Sequence, residues 1–114
     1  MKYACLVYCD ENDLYSLPDS PTDAECLACA DGLRASGHML GGEALEPVRS
    51  ATTVRLRNGQ MSVTDGPFAE TKEQLAGFYL IDADGLEEAI RIAAKIPPAR
   101  VGSIEVRPVR ELSP

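Results

Sequence analysis

Apolar residues fall along this chain in runs whose spacing switches between every second position and every third or fourth, and that switching predicts the elements. Lys2 to Cys9 (KYACLVYC) is a short, nearly continuous apolar run ended by Asp10-Glu11-Asn12-Asp13, the pattern of a central strand followed by a polar loop. A helix is predicted to open at Ser20-Pro21, with Ser20 as N-cap, Pro21 at the first helical position and Asp23 completing a capping box. Cys26, Leu27, Ala30 and Leu33 mark its apolar stripe, and Ser36-Gly37 ends it.

His38 to Leu45 (HMLGGEAL) reads as a second strand, in which Gly41-Gly42 predicts a bulge or a close backbone approach, and Pro47 closes it. Between Thr53 and Thr64, Asn58-Gly59 supplies the two positive φ angles of a type I′ hairpin turn. Counting outward from that turn pairs Leu56 with Met61 and Val54 with Val63 on one face, and Arg55 with Ser62 and Thr53 with Thr64 on the other. Such a register predicts a half-buried hairpin.

Asp65 to Glu73 (DGPFAETKE) is turn chemistry without apolar repetition, and Gln74 to Asp82 (QLAGFYLID) is another strand apolar on both faces. A second helix is predicted from Asp84 as N-cap with Glu87 three residues on, burying Leu86, Ala89, Ile90 and Ala93 and stopping at Pro97-Pro98. Ser103 to Val109 is the last strand, with Ile104 and Val106 on one side and Glu105 and Arg107 on the other. The order is that of an α+β, ferredoxin-like β-α-β-β-α-β domain with an inserted hairpin.

Two helices in that order cover one face of a four-stranded sheet. On the first strand Tyr3, Cys5 and Val7 alternate with Ala4, Leu6 and Tyr8, and on the third main strand Gly77, Tyr79 and Ile81 alternate with Ala76, Phe78 and Leu80. Both sides are apolar, so one is left without cover, and a bare face of that kind exceeds what monomers tolerate. The expected partner is a second copy, sheet to sheet about a two-fold axis. Glu105 and Arg107 would face that second sheet, which predicts a polar pocket near the dimer seam.

Composition narrows the function classes. The length of 114 residues fits a single domain over 1–114, and the net charge of −7 comes with no cluster of basic residues. Nucleic acid is therefore not an expected partner, because phosphate neutralisation needs gathered cations. No stretch approaches the roughly 20 apolar residues of a membrane span. The opening Met1-Lys2-Tyr3-Ala4 lacks the features of a signal peptide, so the expectation is a cytoplasmic chain without a membrane partner.

Four cysteines raise the question of a metal or redox site. Cys5 and Cys9 on one strand face stand roughly 13 Å apart, too far for one tetrahedral ion. Cys26 and Cys29 lie one helical turn apart, whereas zinc pairs of this spacing come from tight turns. The expected state is four reduced thiols packed as small hydrophobes; a redox pair at Cys26/Cys29 and adventitious metal are the alternatives. With no Gly-rich phosphate loop or metal-ligand cluster, no cofactor and no metal is expected.

His38 is the only histidine and the natural candidate for proton transfer near neutral pH, oriented by Glu43 or Asp65; the other reading is a solvated residue beyond a helix C-terminus. Asp65 and Lys72, with Glu70 and Thr71 between them, offer an acid, a hydroxyl and a cation for a small polar ligand, while Asp65 also has the simpler role of capping a turn. Glu105 and Arg107 stand about 6.5 to 7 Å apart along one strand face. Either they form an ion-pair network with the second subunit, or Arg107 binds an anionic ligand, with Arg55 as a further participant.

Asp65-Gly66-Pro67-Phe68-Ala69-Glu70-Thr71-Lys72-Glu73 resembles the DGPF-domain proteins of the YCII-related family. Gly41-Gly42-Glu43-Ala44-Leu45, Ala51-Thr52-Thr53-Val54-Arg55, Gly77-Phe78-Tyr79 and Ile104-Glu105-Val106-Arg107-Pro108 extend the resemblance, in order, across nearly the whole chain. The segment from Asp10 to Gly37 departs from it by being shorter. The resemblance implies a dimeric α+β barrel of ferredoxin-like subunits. It implies little about activity: most members have no assigned reaction, some wider relatives resemble lyases that use a His and an Asp, and the genes often lie beside those of extracytoplasmic-function sigma factors.

Three functional readings stand at this point. One is a cofactor-free proton-transfer or lyase-type enzyme using His38 and Asp65, with Glu43, Lys72, Glu105 and Arg107 binding the ligand. Another is a ligand-binding or regulatory module linked to sigma-factor signalling. The last is a structural homodimer whose polar seam only sets register. Fold alone does not choose among them.

Overall fold

The computed structural model describes all 114 residues, Met1–Pro114. Strands β1 (Lys2–Cys9), β2 (Met39–Ala44), β5 (Gln74–Asp82) and β6 (Ser103–Pro108) form one antiparallel sheet in the order β2-β5-β1-β6. That order is compatible with a ferredoxin-like fold, because each half of the chain places a strand between the two strands of the other. Strands β3 (Thr52–Arg57) and β4 (Gln60–Asp65) pair only with each other, as a separate two-stranded sheet. The helices are α1 (Glu11–Ser16), α2 (Asp23–Ala35) and α3 (Leu86–Ala94), with short 3-10 turns at Val48–Ser50 and Pro97–Arg100.

The core lies between the sheet and the helices. Tyr3, Cys5, Val7 and Cys9 of β1 and Ile81 of β5 bury one sheet face against Leu33 of α2, Ala89, Ile92 and Ala93 of α3 and Ile96 beyond it. Register puts Tyr3 beside Ile81, Cys5 between Tyr79 and Val106, and Val7 between Gly77 and Ile104 on this covered face. The intervening residues Ala4, Leu6, Tyr8, Phe78 and Leu80 point the other way and none of them is fully buried. Both strand faces are therefore apolar and only one is clad, as the alternation predicts.

Several local expectations are corrected. The predicted polar loop after β1 is helix α1: the Asp10 carboxylate accepts from the backbone N–H groups of Asn12 (2.9 Å) and Asp13 (3.3 Å), so the acidic run that looked like a loop is an N-cap and first turn. Helix α2 begins two residues after Pro21, with Thr22 as N-cap accepting from the Glu25 N–H at 3.2 Å, while the Ser20 hydroxyl donates to the Leu14 carbonyl. Its inward stripe is Cys26, Cys29, Ala30 and Leu33, and Leu27 is exposed. In α3 the N-cap position is Gly85, not Asp84, and the Asp84 N–H donates to Glu88 Oε1 at 3.0 Å. Leu86 and Ile90 are exposed; the buried stripe of the helix is Ala89, Ile92 and Ala93, continued by Ile96 beyond its end, and is rotated around the axis from the expected one.

The hairpin has the predicted register throughout, with φ of 51° at Asn58 and 74° at Gly59. It is not half-buried: every residue of β4 and all of β3 except Thr53 are exposed. The predicted bulge in β2 is present between Met39 and Gly41, and Gly42 (φ 159°) lies so close to β5 that a Cβ there would stand 2.6 Å from the Phe78 carbonyl oxygen.

All four cysteines are free thiols, Cys5 and Cys9 buried and Cys26 and Cys29 half-buried. Burial pushes the Cys5 thiol up from 9.0 to about 11, and burial likewise raises Cys9, Cys26 and Cys29. A thiol that ionises near its ordinary value when unfolded but resists when folded contributes stability that is complete below pH 9 and fades as pH approaches 11. Urea unfolding under reducing conditions is expected to show Cys5 alone costing on the order of 2 kcal/mol across that range. The slope should shrink in Cys5→Ala; an unchanged slope would mean that Cys5 is not desolvated.

Candidate functional site

At one end of the uncovered sheet face, the chain builds a concave site from four segments. Tyr8 and Leu75 stand opposite each other just past a register shift between β1 and β5, the kind of bulge that re-aims side chains near a site. The segment after β2 folds over them: the Leu45 N–H donates to Ala76 O at 2.8 Å, and the Val48 N–H donates to Glu11 Oε2 at 2.9 Å. Helix α1, unexpected from the sequence, therefore anchors one wall. The base of the hairpin forms another wall, closed by Gly66 N–H to Ala51 O (2.7 Å) and Thr53 Oγ1 to Gly66 O (2.8 Å).

The Asp65–Glu73 loop supplies the last wall of this open-mouthed site. Thr71 Oγ1 donates to Glu73 O at 2.6 Å, Gln74 Nε2 donates to Thr71 O at 2.9 Å, and the Glu73 carboxylate accepts from Ser103 Oγ of β6 at 2.8 Å. These bonds tie the loop to two strands of the main sheet. The cavity so formed measures about 550 Å³, within the usual range for small-molecule sites. Its walls are mostly apolar, with Tyr8, Pro47, Phe68 and Leu75 prominent, and Thr53 and Glu73 supply polar groups. Phe68 is 78% exposed, a large ring held at the rim with little covering it.

The lining carries one sign of charge. Glu46 and Glu73 are its ionisable carboxylates, and none of its 15 residues is Lys, Arg or His. In a chain of net charge −7, such a cavity attracts cations and hydrogen-bond donors and repels carboxylates and phosphates. A lining that holds two aromatic rings and two carboxylates also suits a cationic group.

The residues singled out from the sequence do not converge. His38 stands just before β2, at the end where Met39 pairs with Ile81, with Nδ1 2.9 Å from the Asp82 carbonyl oxygen and 3.7 Å from Glu88 Oε1. Its neighbouring carboxylate is thus Glu88, not Glu43 or Asp65, and the carbonyl contact requires Nδ1 to be the donor. Glu43 lies beside Phe78 on edge strand β2, while Glu105 and Arg107 lie on the opposite edge strand β6 beside Leu6 and Ala4. Arg107 Nε and Glu105 Oε2 are 3.6 Å apart, so the two pair within one chain on the uncovered face. Asp65 pairs with Thr52 at the open end of the hairpin, and Lys72 is exposed. Of the loop residues named from the sequence, Thr71 lines the cavity, while Asp65, Glu70 and Lys72 do not.

Tyr8, Pro47, Thr53, Glu73 and Leu75 were not candidates in the sequence, and each has a local reason for escaping notice. Tyr8 and Leu75 read as ordinary strand residues, and Glu73 as the end of a loop. The only available signal was the loop's density of polar groups next to an apolar strand. No three His, Cys, Asp or Glu side chains are grouped so as to hold a metal ion, and no helix is long and apolar enough to cross a membrane.

Comparison with known proteins gives the family. The chain is 40% identical over 119 aligned residues to an uncharacterized protein of Rhizobium meliloti (strain 1021), a similarity that covers all of this chain and 96% of the relative. The YCII-related domain model matches residues 1–113, so the loop, the hairpin and every strand of the main sheet fall within the match. By both measures, the chain belongs to the YCII-related domain family.

Proposed function

We propose that this protein binds a small molecule with an apolar body and a protonated amine or other hydrogen-bond donor, in the cavity between Tyr8, Phe68 and Glu73. The observation that carries this reading is the charge of the lining: aromatic and aliphatic walls with carboxylates as their only ionised groups. Proton transfer within the cavity would begin at a carboxylate, since His38 is not among its lining residues. In this reading His38 only holds the start of β2 to the end of β5 through Asp82.

The same reading takes the protein as a homodimer, its protomers meeting through the uncovered sheet faces as a dimeric α+β barrel. Supporting it are the apolar centre of that face, Leu6, Phe78 and Leu80, and the polar groups Glu43, Glu105 and Arg107 at its edge strands. A two-fold contact of that kind buries the apolar centre and leaves the edge charges to pair across the seam.

Phenethylamine, 2-phenylethanol and phenylacetate share one ring and differ in charge, so they test both shape and sign. Titration monitored by amide chemical shifts is expected to show the amine binding and the carboxylate excluded, with shifts at Tyr8, Thr71 and Leu75. Glu73→Gln should weaken the amine about tenfold, and His38→Ala should leave its affinity unchanged. Equal binding of amine and carboxylate would refute the charge argument, and no shift at those residues with any of the three would refute the site.

A further inference from the structure

The β3–β4 hairpin carries an apolar stripe that the rest of its own chain does not cover. Val54 and Val63 are a cross-strand pair, Leu56 and Met61 the next one, all on one face. They are 60%, 59%, 66% and 70% exposed. An isolated two-stranded hairpin is marginal in water, and four large apolar side chains in one exposed row are what edge-protecting selection normally removes. The stripe therefore needs an occupant.

Surface area argues for the size of that occupant. The chain exposes 7977 Å², whereas a compact monomer of 12.3 kDa exposes roughly 6,100 Å² by the usual scaling, an excess of roughly 1,900 Å². The radius of gyration of 15.8 Å is likewise above the roughly 13 Å of a compact chain of this length. An obligate homodimer hides about 1,000 to 2,500 Å² on each partner, which matches the excess. The uncovered face of a four-stranded sheet has a footprint of only about 400 Å². A contact confined to that face falls short of a typical obligate interface, and the hairpin, exposed along nearly its whole length, is the further apolar surface available to it.

Arg55 and Arg57 lie on the opposite, polar face of the hairpin, so the apolar stripe carries no charged side chain and suits burial against another apolar surface. We infer that the hairpin is a clasp, its Val54-Leu56-Met61-Val63 stripe packed on a second copy of the chain beyond the contact made by the sheet faces. The inference rests on the homodimer reading and assigns the hairpin a share of its interface.

Sedimentation equilibrium of the wild-type chain and of the double variant Leu56→Glu/Met61→Lys tests it. The two substitutions face each other across the hairpin, so their opposite charges preserve the strand pairing while removing the apolar contact. With circular dichroism unchanged, the dimer dissociation constant is expected to rise at least about 100-fold. Amide exchange from Thr53 to Thr64 in the wild type should slow as protein concentration rises. A variant that dimerises as tightly as the wild type, or exchange independent of concentration in a dimeric wild type, overturns the clasp and leaves the sheet-face dimer standing. A wild type that stays monomeric at about 50 μM, a concentration far above that needed by a stable pair, overturns both readings. Flotation of such a monomer with phosphatidylcholine vesicles would then assign the stripe to a lipid surface.

Discussion

Gly102→Ala is expected to lower the unfolding free energy by about 3 kcal/mol, close to the upper end of what overpacking costs, and the thermal midpoint by roughly 10 to 20 °C. A Cβ at this position would stand 2.2 Å from the Tyr8 carbonyl oxygen, 2.8 Å from Cys9 Sγ and 3.2 Å from Cys9 Cα. Two of the three neighbours are backbone atoms of β1, a central strand that pairs with both β5 and β6. A flexible side chain could swing aside, but a central strand cannot. The structure accepts the methyl group only by moving β6 away from β1, which loosens the pairing of Tyr8 with Ser103.

The consequence reaches the cavity. Ser103, next in sequence, donates to the Glu73 carboxylate, and Tyr8 itself lines the site. Gly102→Ala should therefore also disturb the proposed amine binding in the fraction that remains folded, and Gly102→Val should be worse on both counts. Differential scanning calorimetry and the phenethylamine titration read the two effects separately. A midpoint within a degree or two of the wild type would show that β6 can shift freely, and that the close approach does not fix the site.

Ile81→Ala and Leu80→Glu, neighbours on one strand, are expected to fail in opposite ways. Ile81 is completely buried beside Tyr3 and Met39 on the helix side, so truncation loses transfer energy and leaves a cavity, a cost of about 2 to 5 kcal/mol. In the proposed homodimer the folded fraction that remains should associate as the wild type does, because Ile81 lies on the helix side of the sheet, away from the uncovered face. Leu80 sits opposite Ala4 on the uncovered face. A glutamate there should barely change the stability of an isolated protomer, yet its charge would be desolvated in a sheet-to-sheet contact, and the dissociation constant of the proposed dimer should rise at least about 100-fold. Chemical unfolding and sedimentation, measured on both variants, check the pair. Matching effects of the two substitutions on association would contradict the assignment of faces.

Much of this fold was legible from residues alone. Alternation along β1 and β5 announced two apolar sheet faces, and Asn58-Gly59 announced the hairpin together with its register, because that pair adopts positive φ at both positions, as a tight type I′ turn requires. What misled was capping chemistry that serves more than one site. Ser20, Thr22, Asp84 and Gly85 lie within a residue or two of a helix start, and the choice between them depends on which turn brings the apolar stripe onto the sheet. Asp10 to Asp13 looked like a loop because their acidity reads as solvent exposure, whereas Leu14, packed against the core, turned them into the first turn of a helix.

The candidate site was legible only in part. The Asp65–Glu73 loop was marked by its turn residues and its polar groups, yet the side chains that looked reactive, Asp65, Lys72 and His38, do not line the cavity. Those that do come from β1, β5, the hairpin base and the segment after β2, which are distant in sequence and chemically ordinary one at a time.

By itself, then, the sequence determined the hairpin and its register, which faces are oily and where the chain turns, because periodicity, propensity and turn stereochemistry act over a few residues. Only the tertiary structure decided that the hairpin stands apart from the main sheet, that His38 keeps company with Glu88, and that Tyr8, Phe68 and Glu73 surround one space. Those outcomes depend on the bulge between β1 and β5 and on the path of the loops, and local patterns carry no information about which distant walls a bulge will bring face to face.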